Sequence, residues 1–137
     1  MSVTAFRASL FAKLNSGGAT PASLGDPPRI YDGAPRHVAL PYASLALVEE
    51  RHLTGNSMEG VQIAFSIGVY SQKPSREELQ EIARWIIAVL TEGRVFAADG
   101  SSGFVLVESQ SSDLMRDRKT WRGLIRFKGY FEPSFEE

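Results

Sequence analysis

The residues most able to do chemistry are two histidines, a serine-bearing glycine turn and a short run of carboxylates. A catalytic or metal-binding histidine needs a partner at fixed reach, and neither His37 nor His52 has one in sequence. "EERH" lacks the helical two-histidine spacing of a metalloprotease. Their polar, loop-edge settings predict surface histidines. "DGSSG" (99–103) places serine near glycine, but a nucleophile elbow needs Gly-x-Ser-x-Gly between a strand and a helix. Here strands are predicted on both sides, so the motif reads as a hairpin turn. Glu77, Glu78 and Glu81 open a predicted helix or line its wet side. Nothing there predicts the burial that would adapt a carboxylate to acid–base work. No glycine-rich loop leads into Lys and Ser/Thr, so nucleotide binding has no support. The chain has no cysteine, which removes thiolate zinc sites, iron–sulfur clusters, disulfides and a cysteine nucleophile together. The expectation is a protein that is not an enzyme, with no catalytic, cofactor-binding or metal-binding residues.

What remains is contact chemistry. "RDRKTWR" (116–122) concentrates charge beside a tryptophan, which reads either as a solvated loop before a core-facing Trp121 or as a contact with a partner surface or nucleic acid. "TGNSMEG" (54–60) carries a methionine in a polar, glycine-flanked setting, where a soft side chain suits an adaptable contact better than a core. These two segments supply the candidate assembly contacts Asn56, Met58, Glu59, Arg116, Asp117, Arg118 and Lys119. The last strand puts Arg122, Arg126 and Lys128 on one side, either as a wet sheet face or as charges that set register against a neighbouring subunit.

These residues need elements to hold them. Val3, Phe6, Leu10, Phe11 and Leu14 recur at helical spacing, predicting an amphipathic helix over 3–14 that "NSGG" ends. "RIYD" (29–32) is a short strand closed by Asp32-Gly33 turn chemistry. Pro41 biases Leu40 toward extended geometry, and "YASLALVEERHL" (42–53) follows as a strand. Val61, Ile63, Phe65, Ile67 and Val69 alternate with smaller or polar residues, predicting a strand with one buried face. "SQKPSREELQEIARWIIAVLTEG" is the clearest helix. It has Ser75 and Glu78 at capping-box spacing, a stripe of Leu79, Ile82, Ala83, Ile86 and Leu90, and a stop at Gly93. "RVFAADGSSGFVLVES" (94–109) reads as two strands around a hairpin, and 110–120 as a polar segment. In the final strand Trp121, Ile125, Phe127 and Phe131 share one face, with Arg122, Arg126, Lys128 and Tyr130 on the other. The fold class expected is α+β, a mainly antiparallel sheet with the N-terminal and central helices packed on one face.

At 137 residues the chain has room for one domain, 1–137, with 132–137 expected to fray. Fifteen basic residues against sixteen acidic ones give a formal net charge of −1. Duplex-DNA binding draws on a basic excess that is absent here, and no basic patch interleaved with aromatics suggests a single-strand binder. No apolar run is long enough to span a bilayer, and the start lacks a signal-peptide core, so membrane association is not expected.

Taken in order, these segments resemble the tail-terminator (tail completion) family of long-tailed bacteriophages, which includes proteins of phage-like gene transfer agents. The resemblance is carried by "RIYDGAPRHVALPYASL", "EERHL", "GVQIAFSIGVYSQKPSREELQEIARWIIAVL" and "DRKTWRGLIRFKGYFE". Its specificity lies in their order and spacing. It implies a structural role at the head-proximal end of the tail of a phage or phage-like particle, with the chain made in the bacterial cytoplasm. Copies would close a homo-oligomeric ring, a hexamer in the family form, on the tail-tube protein. The ring would end tube polymerisation and give the head–tail connector or stopper protein a docking surface. DNA would pass through the lumen without specific binding, and no cofactor is implied. The nearest alternative is another head–tail joining protein, a stopper or connector component.

Overall fold

The computed structural model describes residues 3–16, 18–33, 35–55 and 58–132. In chain order the elements are α1 (Val3–Ser16), a short 3-10 turn (Ala22–Leu24), β1 (Ile30–Asp32), β2 (Tyr42–Gly55), β3 (Met58–Ser71), α2 (Glu77–Thr91), β4 (Val95–Phe96), β5 (Ser102–Leu114) and β6 (Trp121–Glu132). The six strands form one sheet in the order β1-β2-β3-β6-β5-β4. Only β1 is parallel to its neighbour, over Ala43 to Leu45 of β2. Every other pairing is antiparallel. The α+β expectation, mainly antiparallel, is met.

Alternation decides which face is covered. Ile63, Phe65, Ile67 and Val69 of β3 stand opposite Gly129, Phe127, Ile125 and Gly123 of β6. The apolar members of these pairs are almost fully buried. Phe6 of α1 lies edge-on to Phe65 (5.0 Å between centroids) and to Phe131 (5.8 Å), while Phe65 stacks on Phe127 at 4.9 Å. Each buried phenylalanine contributes about 1.5–3 kcal/mol by leaving water, and each ring pair roughly 0.5–1.5 kcal/mol more. The second helix uses the same face. Its predicted stripe is buried with Trp85 added, and a Cβ at Gly123 would meet Leu79 at 2.8 Å. Glycine in β6 thus lets α2 settle onto the sheet.

Arg29 organises the connection between the first helix and the sheet. Its guanidinium donates to the carbonyls of Pro41 (2.9 Å) and Ser23 (2.7 Å), and its own carbonyl accepts from the Ala43 N–H (2.9 Å). The "RIYDGAPRHVALPYASL" stretch is therefore a strapped strand-to-strand connection. Pro41 follows a cis peptide bond, and His37 has φ 53°.

Three local expectations change. The Ser75–Glu78 capping box does not form. Arg76 is the residue before the helix and makes no side-chain cap; the Ser75 hydroxyl accepts from the Glu77 N–H at 3.4 Å, and Glu78 Oε1 accepts instead from the Ser71 hydroxyl at 2.8 Å. The polar segment at 54–60 is largely the end of a hairpin, since β2 runs to Gly55 and β3 begins at Met58. Residues 110–114 belong to β5 and pair with β6, leaving 115–120 as the turn. In both places a paired neighbour supplies the hydrogen bonds that polar residues do not specify by themselves.

Candidate assembly surfaces

Each helix covers the same side of the sheet, so among the described residues no helix covers the other, open side. Tyr42, Glu49 and Arg51 of β2, Gln62, Ser66 and Tyr70 of β3, Arg122, Arg126, Lys128 and Tyr130 of β6, and Phe104 and Leu106 of β5 share it by register. A groove of about 250 Å³ runs across its middle, bordered by Glu49, Arg51, Glu108, Arg126 and Lys128. Both long flanking strands are irregular beside it, β2 between Leu45 and Leu47 and β5 between Val107 and Ser109. Bulges bend a strand and increase its twist, and these two lie on the same transverse line through Ser66 and Arg126.

The charges expected at a subunit interface all lie on this open side. Two of them already have partners within the chain. Arg122 pairs with Asp113 at 3.3 Å and Lys128 with Glu108 at 3.6 Å. Such exposed pairs are worth about 0–1 kcal/mol each, so exchange for a subunit's carboxylates costs little. Arg126 is exposed at the groove edge.

Of the other candidates, Arg116, Asp117, Arg118 and Lys119 are all exposed on the β5–β6 turn. Asp117 is the residue that shapes it. Its Oδ1 accepts from the backbone N–H groups of Lys119 and Thr120, both at 2.9 Å, and its Oδ2 from the Thr120 hydroxyl at 2.6 Å. The Thr120 hydroxyl bond, then the two backbone bonds, holds the carboxyl below its ordinary range. Arg118, at φ 59°, and Lys119 project beside Lys73, Leu114 and Trp121 around a shallow groove of about 350 Å³. Arg76 covers the Trp121 ring at 4.5 Å, and that tryptophan is half-buried against the core. Met58 and Glu59 are strand residues opposite Gly55 and Thr54, while Asn56 lies outside the described residues.

The β2–β3 hairpin end and the β5–β6 turn stand at opposite ends of the sheet. His52 of β2 aligns through Val61 and Phe131 with Gly103, whereas the turn follows Leu114. The structure therefore does not bring the two candidate contact regions together.

Sequence reasoning passed over a further surface. Phe96, Phe104, Leu106, Val107, Leu114 and Tyr130 are large apolar side chains left exposed on β4, β5 and β6; Phe104, Leu106 and Tyr130 share the open face, whereas Val107 and Leu114 lie on the helix-covered one. Leu106 is 56% exposed and Phe104 50%. Arg94 lies over the Phe104 ring at 4.5 Å and donates to the Ser102 hydroxyl at 2.9 Å, bounding the open-face group at one end. The sequence predicts strands within 94–109, but only topology reveals which border lacks a long partner. A tyrosine row was also missed. Tyr42 stacks on Tyr70 at 4.8 Å, with Tyr31 edge-on to Tyr42 at 6.1 Å. Burial, then the neighbouring Tyr70, raises the Tyr42 hydroxyl above its ordinary pKa.

His37 and His52 are both exposed, and His52 Nε2 lies 3.3 Å from Glu50 Oε1. The Glu78 carboxylate is held by Ser71. Among the described residues no group of three or more His, Asp or Glu side chains could hold a metal ion, and no helix is long and apolar enough to cross a membrane.

Comparison with known proteins places these surfaces in context. Residues 8–132 match the family model described as "Tail completion protein gp17". Among solved structures, the chain is similar to one in the virion of a native gene transfer agent (GTA) particle. The TM-score is 0.81 at 16% identity, covering 94% of this chain and 96% of that one. At that identity the likeness concerns the fold. No curated protein matches the sequence.

Proposed function

We propose that this chain, which belongs to the tail completion protein gp17 family, ends the tail tube of a phage or phage-like particle as a homo-oligomeric ring. Its place is in the tail, as a structural protein. On our reading, copies assemble head to tail into a hexameric ring on the head-proximal end of the tube. The ring blocks further addition of tube subunits and presents its other rim to the connector or stopper.

The observation that carries this reading is the extent of the family match, which takes in about two-thirds of α1, all of α2 and the whole sheet. The surfaces agree with it. A ring built by rotation needs two different complementary patches on each copy. The sheet has two long, dissimilar borders, and its two ends carry different contact regions, the β2–β3 hairpin and the basic β5–β6 turn. The open face mixes both signs, with Arg51, Arg122, Arg126 and Lys128 alongside Glu49, Glu108 and Asp113. A balanced wall holds few phosphates, so DNA could slide past it.

The test is electron microscopy of particles made without the gene. Overlong tubes, or tubes unjoined to heads, support the terminator role. Capped tubes of regulated length beside heads that leak DNA point instead to a stopper or connector component. Normal tails joined to normal heads would contradict both.

A further inference from the structure

We infer that the copies of this chain are joined by strand pairing. On this inference the free border of β5 (residues 104–114) in one copy adds antiparallel to the free border of β2 (residues 46–55) in the next. This rests on the ring reading above and names the bond that would hold the ring.

Both outer borders of the sheet are incomplete. β1 pairs only with Ala43 to Leu45 of β2, and β4 only with Ser102 and Gly103 of β5. Among the described residues, the rest of each long strand turns a row of backbone N–H and C=O groups outward with no strand beside it. Natural monomers guard such edges with charged side chains, lysine above all, or with proline, bulges or very short strands. Neither free stretch contains a lysine or a proline, and the charges they do carry are of both signs, Glu49, Glu50 and Arg51 on β2 and Glu108 and Asp113 on β5. Each carries one bulge, a feature compatible with a bent sheet as well as with a guarded edge.

The side chains of β5 say how the edge is covered. Phe104 and Leu106 stand opposite Tyr130 and Lys128, on the open face. Val107 and Leu114 stand opposite Phe127 and Trp121, on the helix-covered face. All four are exposed. A lid laid over one face would leave half of them in water. A strand added edge-on brings neighbours to both faces at once, because its own side chains alternate across the sheet.

Topology points to a second copy as the source of that strand. β2 with β3, β3 with β6 and β6 with β5 are all antiparallel. It follows that β2 and β5 of one copy run in opposite directions. Setting the next copy's β2 beside β5 continues the alternation and keeps the helices of every copy on the same side. The two blocked corners lie diagonally across the sheet. Ala43, beside β1, aligns through Val69 and Gly123 with Ser112, while Gly103, beside β4, aligns through Phe131 and Val61 with His52. The free stretches are therefore offset along the strand direction, and each added copy must shift relative to the last. Sheets that close on themselves require this kind of stagger.

The absence of cysteine makes a direct test available. Glu49→Cys or Arg51→Cys on β2 would be combined with Leu106→Cys, Ser109→Cys or Ser111→Cys on β5, all exposed positions. Opposed residues in an antiparallel pair sit about 4.5–5.5 Å apart between Cα atoms, within the reach of a disulfide. Particles carrying each full-length variant would be oxidised and run on a non-reducing gel. At least one combination should give a ladder of covalent multimers, with none from the single-cysteine controls. If electron microscopy shows a ring but no combination links, the edge pairing is wrong and the ring stands. Dimers from a single β5 cysteine would show two-fold use of that edge and overturn the proposal. Absence of any ring would remove both readings. The unmodified chain gives an independent measurement by hydrogen exchange. Amides of 46–55 and 104–114 should exchange at least tenfold more slowly in the assembled form than in the dilute monomer. Equal rates in the two forms would contradict the pairing.

Discussion

β3 and β5 are strands of nearly equal length in one sheet, yet their apolar residues meet different ends. In β3, Ile63, Phe65, Ile67 and Val69 are enclosed between α1, α2 and the neighbouring strands. In β5, Val105 is enclosed while Phe104, Leu106, Val107 and Leu114 remain open to solvent. The apolar side chains are of the same kinds, and position in the sheet decides their burial. β3 has a long strand on each side, whereas β5 has a long strand on one side and two residues of β4 on the other. The difference teaches that the chain builds its core at the centre of the sheet and leaves apolar side chains exposed at one border.

The comparison can be broken most severely at the centre. Phe65→Ala removes a ring that touches both Phe6 and Phe127, and should cost about 3–5 kcal/mol in a denaturant titration. A loss below about 1 kcal/mol would mean the centre is not the core. At the border, Leu106→Glu should change monomer stability by no more than about 0.5 kcal/mol while reducing particle assembly at least tenfold. A variant that assembles normally would deprive the β5 border of its role.

The basic turn should show an intermediate effect. Replacing Arg116, Arg118 and Lys119 together by Glu should leave the melting curve of the monomer within a few degrees of the parent. It should nevertheless lower the yield of joined particles severalfold, measured by counting heads with tails. An unchanged yield would exclude the turn as a contact.

Asp117 sharpens the distinction between contact and scaffold within that turn. Its folded pKa is depressed below the ordinary 3.8. Its stabilising contribution is therefore present above that ordinary value and disappears as pH falls through the depressed one. Asp117→Asn should accordingly speed amide exchange at Lys119 and Thr120 at pH 7, and the difference from the parent should vanish in strong acid. A difference independent of pH would contradict the hydrogen-bond geometry. The smallest effect is expected for Lys128→Ala, which loses one exposed pair with Glu108. Its unfolding free energy should move by less than about 1 kcal/mol.

Much of the centre was legible from periodicity. The alternation of β3, the two-faced pattern of β6 and the apolar stripe of α2 each identify a buried surface without knowledge of neighbours. The border was less legible because its meaning is topological. Phe104 and Leu106 look like any outward half of a strand until the strand order leaves their edge without a long partner. Ser109, Gln110, Ser111 and Ser112 have weak strand preference, and pairing with β6 extends β5 through them. The capping box does not form, and Ser71, seven residues from Glu78 in sequence, holds that carboxylate instead. The basic turn was found by charge density, but the role of Asp117 within it depends on bonds to Lys119 and Thr120 that no spacing rule specifies. The hairpin candidates were found by composition alone, and the strands proved longer there than the polar residues suggested.

The most direct measurement is an electron cryomicroscopy reconstruction of the head–tail junction in particles assembled with this chain. The account predicts one ring of identical copies between the tube and the connector, with β5 of each copy beside β2 of the next and the helices all on one side. Copies distributed along the tube, or a junction that lacks the chain, would contradict it.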